Sequence, residues 1–380
     1  MIILNACIAN FYYEGYGYQE NLLPIYQKLN GHEVYIAAPA QKLLNGKLEY
    51  VCDDYINDNG IPVFILKRDT SKYGKAIKRY LNFYSIIEMI KPDVIFIHGG
   101  QSASIDDAGK YKKKNPKVRI YIDNHADYYN SPVVKLTSKL NAKLLLGRNL
   151  CRSWKYVDHY FGVTPWRCDF LRDVYGLPED KISLLHMGGE DAYIVNRNKK
   201  EVQSIIKKRH SINENDFLIV TGGKIDKTKN IHLLMQAVRN HNNVKQIIFG
   251  SVNSNFQQEF DFSCNDNVEY IGWIDATKAY EYFLGADLAV FPGTHSVLWE
   301  QAVACKTPCI FKEWEGMKHV DIGGNCIFLK NDSKDEIENA ILDLINHKDR
   351  YDKMQEVAMS DKSEQFLYSK IAEKSLGWIG

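Results

Sequence analysis

Residues 287–311 read DLAVFPGTHSVLWEQAVACKTPCIF. The apolar run LAVF ends at Pro292 and Gly293. A tip of small and hydroxyl residues follows, and VLWEQAVA begins a helical pattern. Thr307 and Pro308 break that pattern, and CIF opens another apolar run. Strand, loop, helix and strand in this order form the unit of a parallel sheet covered by helices.

The same alternation runs outward in both directions. Upstream lie DFLIVTGG, IHLLMQAVRN, VKQIIFGS, VEYIGW and AYEYFLGA; downstream lie CIFLK and DEIENAILDLINH. A second series occupies the first half, with strands expected in MIILNACIA, HEVYIAAP, PVFIL, DVIFIHG, VRIYID, HYFGVT and ISLLHM. The helical patterns between them include NLLPIYQKLN, weakened early by Pro24, and KAIKRYLNFYSIIEMI. Between the halves, VNRNKKEVQSIIKKRH reads as a basic linker entering a helix. The expected fold class is α/β, with two doubly wound, Rossmann-like domains and a cleft between them. The expected domains are 1–194 and 195–363. A last helix, about 364–380, carries Phe366, Tyr368 and Trp378 and is expected to pack back on the first domain.

With 380 residues the chain exceeds what one core usually supports, and its 45% hydrophobic and 25% charged content is that of a globular protein. The net charge of +1 gives no field for nucleic acid. Residues 1–200, however, carry 28 Lys and Arg against 21 Asp and Glu, and the remainder 20 against 26. A basic first half suits an anionic surface or substrate. The eight cysteines are scattered, with no pair two residues apart and no histidine cluster at zinc spacing, so reduced thiols in a cytoplasmic protein are expected and a structural zinc is not. The start, MIILNACIANFYY, lacks a basic leader, and no apolar run approaches a membrane span.

Two loops carry the chemistry. In LIVTGGKIDKTKNIHLL (218–234), Gly222 and Gly223 end a strand and allow close backbone approach. Lys224 and Lys229 flank the start of a helix near Asn230, which suits a diphosphate. In the opening stretch, Thr294, His295, Ser296 and Val297 form the tip before a helix. Glu300, about one turn inside it, could accept hydrogen bonds from both hydroxyls of a ribose. For each loop, a structural turn with surface lysines or a capping carboxylate is the competing reading.

Taken together, GGK (222–224), Lys229, LL (233–234), GW (272–273), AD (286–287), FPG (291–293), EQA (300–302) and ACKTPCI (304–310) resemble the nucleotide-sugar glycosyltransferases of family 4, which have the GT-B fold. The first half is similar more loosely, through YEGYGYQEN (13–21), GHEV (31–34) and the segment 159–191. The resemblance implies a retaining transferase in bacterial surface polysaccharide synthesis, such as capsule assembly. Its donor would be a nucleoside diphosphate sugar held by the second domain, with no cofactor and no metal. Lys224 and Lys229 would neutralise the leaving diphosphate, aided by the amides at 294–297, and Glu300 would hold the ribose. Trp273 and Ile274 would line the base pocket, unless Trp273 is simply core. Gly15, Tyr16, Gly17 and His98 would lie on the acceptor side, and His125 would orient an acceptor hydroxyl or touch the donor sugar.

Two departures stand out. Lys224 replaces the family's arginine, keeping the charge and losing the planar fork. The first glutamate of the family's pair is missing, since eight residues before Glu300 stands Pro292; His295, Ser296, Glu313 or Glu315 could substitute. The acceptor would be a glycan or a polyprenyl-linked glycan. KRYLNFYSIIEMIK, KYKKKNPKVR and KLTSKLNAKLLLGRNLCRSWKY mix basic with apolar residues in a way that suits peripheral contact with an anionic membrane, at its inner face. Alternatives are a GT-B-fold sugar-nucleotide epimerase and a non-catalytic partner that binds a nucleotide or glycan.

Overall fold

The computed structural model describes residues 1–44, 47–131 and 147–377. The chain divides into two compact units, Met1–His186 with Ile371–Gly380, and Met187–Lys370.

The first unit is built on an eight-stranded sheet. In spatial order its strands are Ile182–Leu184, His159–Gly162, Arg119–Asn124, Val94–His98, Ile2–Ala6, Glu33–Ala38, Pro62–Ile65 and Tyr55–Ile56. All neighbours are parallel except the edge strand Tyr55–Ile56. The order reverses between Ile2–Ala6 and Val94–His98, and sheets of this kind bind ligands outside the carboxyl ends of the strands at that point. VIFIH is buried at every position, as a central strand covered on both faces must be. The core joins Leu4, Ile95, Ile97, Ile120, Phe83 and Phe170. The helix Gln19–Leu29 runs through Pro24 despite the missing amide. A small sheet of Tyr12–Tyr13, Ala40–Leu44 and Lys47–Tyr50 lies apart from the main one.

In the second unit six parallel strands run in the order Val268–Tyr270, Val244–Val252, Phe217–Ile225, Leu288–Phe291, Cys309–Lys312 and Cys326–Leu329. Numbered along the chain this is 3-2-1-4-5-6, the order of a dinucleotide-binding sheet. Its switch point falls between Phe217–Ile225 and Leu288–Phe291, the two strands that feed the two loops singled out in the sequence.

The short helix Asp191–Ile194 belongs with this second unit, ahead of the boundary expected at residue 194. Its Asp191 carboxylate accepts from the amide and hydroxyl of Ser369, and Gly189 exchanges backbone hydrogen bonds with Phe366 and Tyr368. At the other end of the chain, the buried Ser375 hydroxyl accepts from Gln27 Nε2 at 3.3 Å within the first unit. Phe366 and Tyr368 are buried, and Trp378 lies outside the described residues.

Candidate functional site

The strand Phe217–Ile225 does not stop at its glycines. Gly222 and Gly223 are strand residues paired with Phe249 and Gly250, which corrects the expected turn at that point. The reason is a close approach of the two paired backbones. A Cβ at Gly250 would sit 1.9 Å from Gly223 O, and both residues hold positive φ, +124° and +108°. The chain then turns through Lys227–Lys229, with the Asp226 carboxylate accepting from Thr228 N, and enters the helix Ile231–Val238 at Asn230.

The second loop lies directly against this turn. Thr294 N donates to Thr228 O at 3.1 Å, and Asn230 Nδ2 donates to Pro292 O at 3.1 Å. Lys229 Nζ donates to Thr294 O at 2.7 Å and His295 O at 3.2 Å. Burial, and then the Lys224 ammonium, lower the pKa of Lys229, with Asp226 opposing. Lys229 therefore ties the two loops together, while Lys224 is exposed. The amide of Thr294, expected to face a diphosphate, is already engaged by Thr228.

Glu300 lies in the helix Leu298–Ala304 and is completely buried. His295 Nε2 donates to both its oxygens, at 2.9 Å to Oε1 and 3.1 Å to Oε2. His319 Nε2 donates to Oε1 at 2.8 Å. Burial alone would raise the pKa of Glu300; the two imidazoles overcome it and hold the carboxyl well below the usual range. Trp299, stacked on Phe311 with ring centroids 4.4 Å apart, braces the helix and meets the His295 ring edge-on. His319 was missed in the sequence. It comes from the short turn Lys318–Val320, inside the very stretch searched for a carboxylate. Glu313 there, one of the residues offered in place of the family's first glutamate, pairs with Lys318 at 2.6 Å. The three side chains are five and nineteen residues apart, a spacing that no local pattern reveals.

Trp273 is 70% exposed and so is not a core residue, and Ile274 beside it is half-buried. Both follow Gly272 at the carboxyl end of the strand Val268–Tyr270.

In the first unit, His98 and His125 converge on one carboxylate. Asp123, fully buried, bonds His98 Nδ1 at 2.8 Å and lies 3.4 Å from His125 Nε2. Its other oxygen accepts from Gly99 N at 3.0 Å. Burial would raise the Asp123 pKa, yet His98 and His125 depress it. Burial lowers the pKa of His125, and Asp123 outweighs this so that the net shift is upward. His98 Nε2 faces Asn5 Oδ1 at 3.3 Å beside the switch point, and only 5% of the residue is exposed. Gly15, Tyr16 and Gly17 form an exposed loop. A Cβ at either glycine would meet nothing within 4 Å, and the Tyr16 ring stacks on Tyr18 at 5.3 Å.

Two of the three basic stretches lie side by side. A groove of about 510 Å³ is lined by Arg79, Tyr80, Leu81 and Tyr84 from one, by Lys110, Lys113 and Lys114 from the other, and by Asp107, which pairs with Lys110 at 3.0 Å. Of the third, residues 135–146 lie outside the described residues. No described helix is long and apolar enough to cross a membrane.

Residues 202–361 match the family model described as "Glycosyl transferases group 1". No curated protein matches the chain in sequence. Among solved structures, HepE from Anabaena in complex with UDP-glucose is similar over 99% of this chain and 98% of its own, at 13% identity and a TM-score of 0.68. Sucrose-phosphate synthase from Thermosynechococcus elongatus aligns over 98% of this chain and 96% of its own, at 13% identity and a TM-score of 0.67. UDP-GlcNAc 2-epimerase from Neisseria meningitidis bound to UDP-GlcNAc covers 99% of both chains, at 15% identity and a TM-score of 0.60. The fold is thus the α/β, two-domain fold of GT-B glycosyltransferases, and the family match supports a nucleotide-sugar glycosyltransferase as the class of protein.

Proposed function

We propose that the chain is a retaining glycosyltransferase. It takes a sugar from a nucleoside diphosphate donor and passes it to a glycan or polyprenyl-linked glycan in bacterial surface polysaccharide synthesis. The observation that carries this reading is the joint at the switch point of the second unit, where two loops from neighbouring strands are locked together beside Lys224, Lys229 and Glu300. A UDP-sugar is the favoured donor class, since HepE, with the same fold, is described in complex with UDP-glucose.

Charge develops on the leaving diphosphate, and fixed cations there lower the barrier most when they need no rearrangement. Lys229, held by two carbonyls, supplies a preorganised charge, and exposed Lys224 supplies a second. Trp273 offers an aromatic face to the base. Glu300 would anchor the ribose through Oε2, which carries only the longer hydrogen bond from His295; the ring of His295 turns aside as the ribose enters. His319 keeps Oε1 in place. The retaining assignment means that the acceptor hydroxyl attacks on the face the diphosphate leaves. His125, held by Asp123, would orient that hydroxyl or touch the donor sugar, with His98 steadying the same carboxylate. The loop of Gly15, Tyr16 and Gly17 would receive the acceptor. The groove of Arg79, Lys110, Lys113 and Lys114 favours peripheral docking on an anionic membrane surface.

Donor sugars on UDP, GDP and ADP, offered with and without a polyprenyl diphosphate glycan, test the reading. The expected result is acceptor-dependent release of one nucleoside diphosphate, with the anomeric configuration of the donor kept in the product by NMR. An inverted product would overturn the retaining assignment. A changed sugar on the nucleotide without acceptor would establish the epimerase instead.

A further inference from the structure

We propose that His295, Glu300 and His319 form a binding site for a divalent transition-metal ion of the zinc class. The side chains come from a loop, a helix and a separate short turn, yet their ligand atoms all lie within 4.8 Å of one another. Both histidines present Nε2, and both aim it at the same carboxylate oxygen, at 2.9 and 2.8 Å. Tetrahedral zinc, with bonds of about 2.0–2.1 Å to nitrogen and oxygen, spaces its ligand atoms by about 3.3 Å. The two nitrogen–oxygen separations, 2.9 and 2.8 Å, fall about 0.5 Å short of that spacing.

The site is also enclosed. The side chains of His295, Glu300 and His319 are 9%, 0% and 2% exposed. Among the described residues, only these imidazoles pair with Glu300; no lysine or arginine neutralises it. Two imidazoles and one carboxylate select a borderline ion such as Zn²⁺ over Mg²⁺, which prefers oxygen ligands and keeps its waters. Three protein ligands leave a fourth position for water.

The ion and the donor ribose would use the same Glu300 carboxylate, so the ion occupies the site only when no nucleotide is bound, and it is measured without any nucleotide. The full chain is dialysed against Zn²⁺ alone and compared with Glu300→Gln and His319→Gln, with folding followed by circular dichroism. One zinc per wild-type chain is expected, and removal of any ligand should weaken binding by more than about tenfold. Should Glu300→Gln fail to fold, His295→Gln on the loop carries the comparison. Cobalt substitution separates this site from the cysteines: the expected spectrum shows tetrahedral d–d bands without a thiolate charge-transfer band. No bound zinc, affinity unchanged in a folded ligand variant, or a thiolate band would each overturn the proposal.

Discussion

Gly293 is where the two site loops pass backbone to backbone, and Gly293→Ala tests whether that contact builds the site. A Cβ there would lie 2.3 Å from Thr228 O and 2.4 Å from Lys229 C and Cα. Ordinary contact begins near 3.4 Å, so the loops must separate by about 1 Å. Gly293 is not among the residues with positive φ, so alanine adds no torsional strain and the effect is steric. Overpacking of this kind costs about 1–3 kcal/mol. For a unit of this size each kcal/mol lowers Tm by about 2–4 °C. The larger effect falls on function, since a 1 Å misplacement of reacting groups can cost about 100-fold in rate. The assay is thermal unfolding together with sugar transfer. Gly17→Ala, where a Cβ meets nothing within 4 Å, serves as the stability control. If Gly293→Ala keeps wild-type Tm and rate, the two loops do not form one rigid site.

Asp123→Asn removes the charge that raises the pKa of His125, leaving burial to lower it. An NMR titration should show the His125 midpoint moving from above to below the ordinary value of about 6.5, with a stability loss of about 1 kcal/mol, kept small because the His125 side chain is 35% exposed. In the wild type the raised His125 pKa stabilises the fold fully below about pH 6.5 and loses that contribution as pH rises through the folded value. Glu190 behaves in the opposite sense to a paired carboxylate: burial, and then Asp191, push its pKa up to about 7. The folded state then binds the extra proton, so stability falls as pH rises from about 4.3 to 7. Glu190→Gln should flatten that slope in denaturant titrations and stabilise the protein at pH 8 by at most about 3 kcal/mol, reduced by the water that still reaches a half-buried carboxyl.

The alternation of apolar runs and amphipathic stretches carried both sheets, because a buried parallel strand must be apolar throughout. The two site loops were legible for the same reason: they sit where such strands end. The limits of Gly222 and Gly223 were not legible, since a glycine that ends a strand and a glycine that lets two paired strands approach closely look alike in sequence. Nor was the partner of Glu300. The search for a second carboxylate passed over His319 because contact between residues 295, 300 and 319 is set by the packing of a turn against a helix. His98 and His125 could be named one by one, but their meeting on Asp123 depends on parallel pairing of His98 with Asp123 across two strands.

In the proposed function the second unit holds a nucleoside diphosphate through Glu300 and the loops beside it. Thermal unfolding with UDP, GDP, ADP and CMP, with and without Mg²⁺, on wild type and Glu300→Ala, tests this most directly. A ligand that binds only the folded state at 100 times its Kd adds about 2.7 kcal/mol. One diphosphate is expected to raise the wild-type Tm without Mg²⁺ and to leave that of the folded variant unchanged. No shift with any nucleotide, or the same shift in Glu300→Ala, would contradict it.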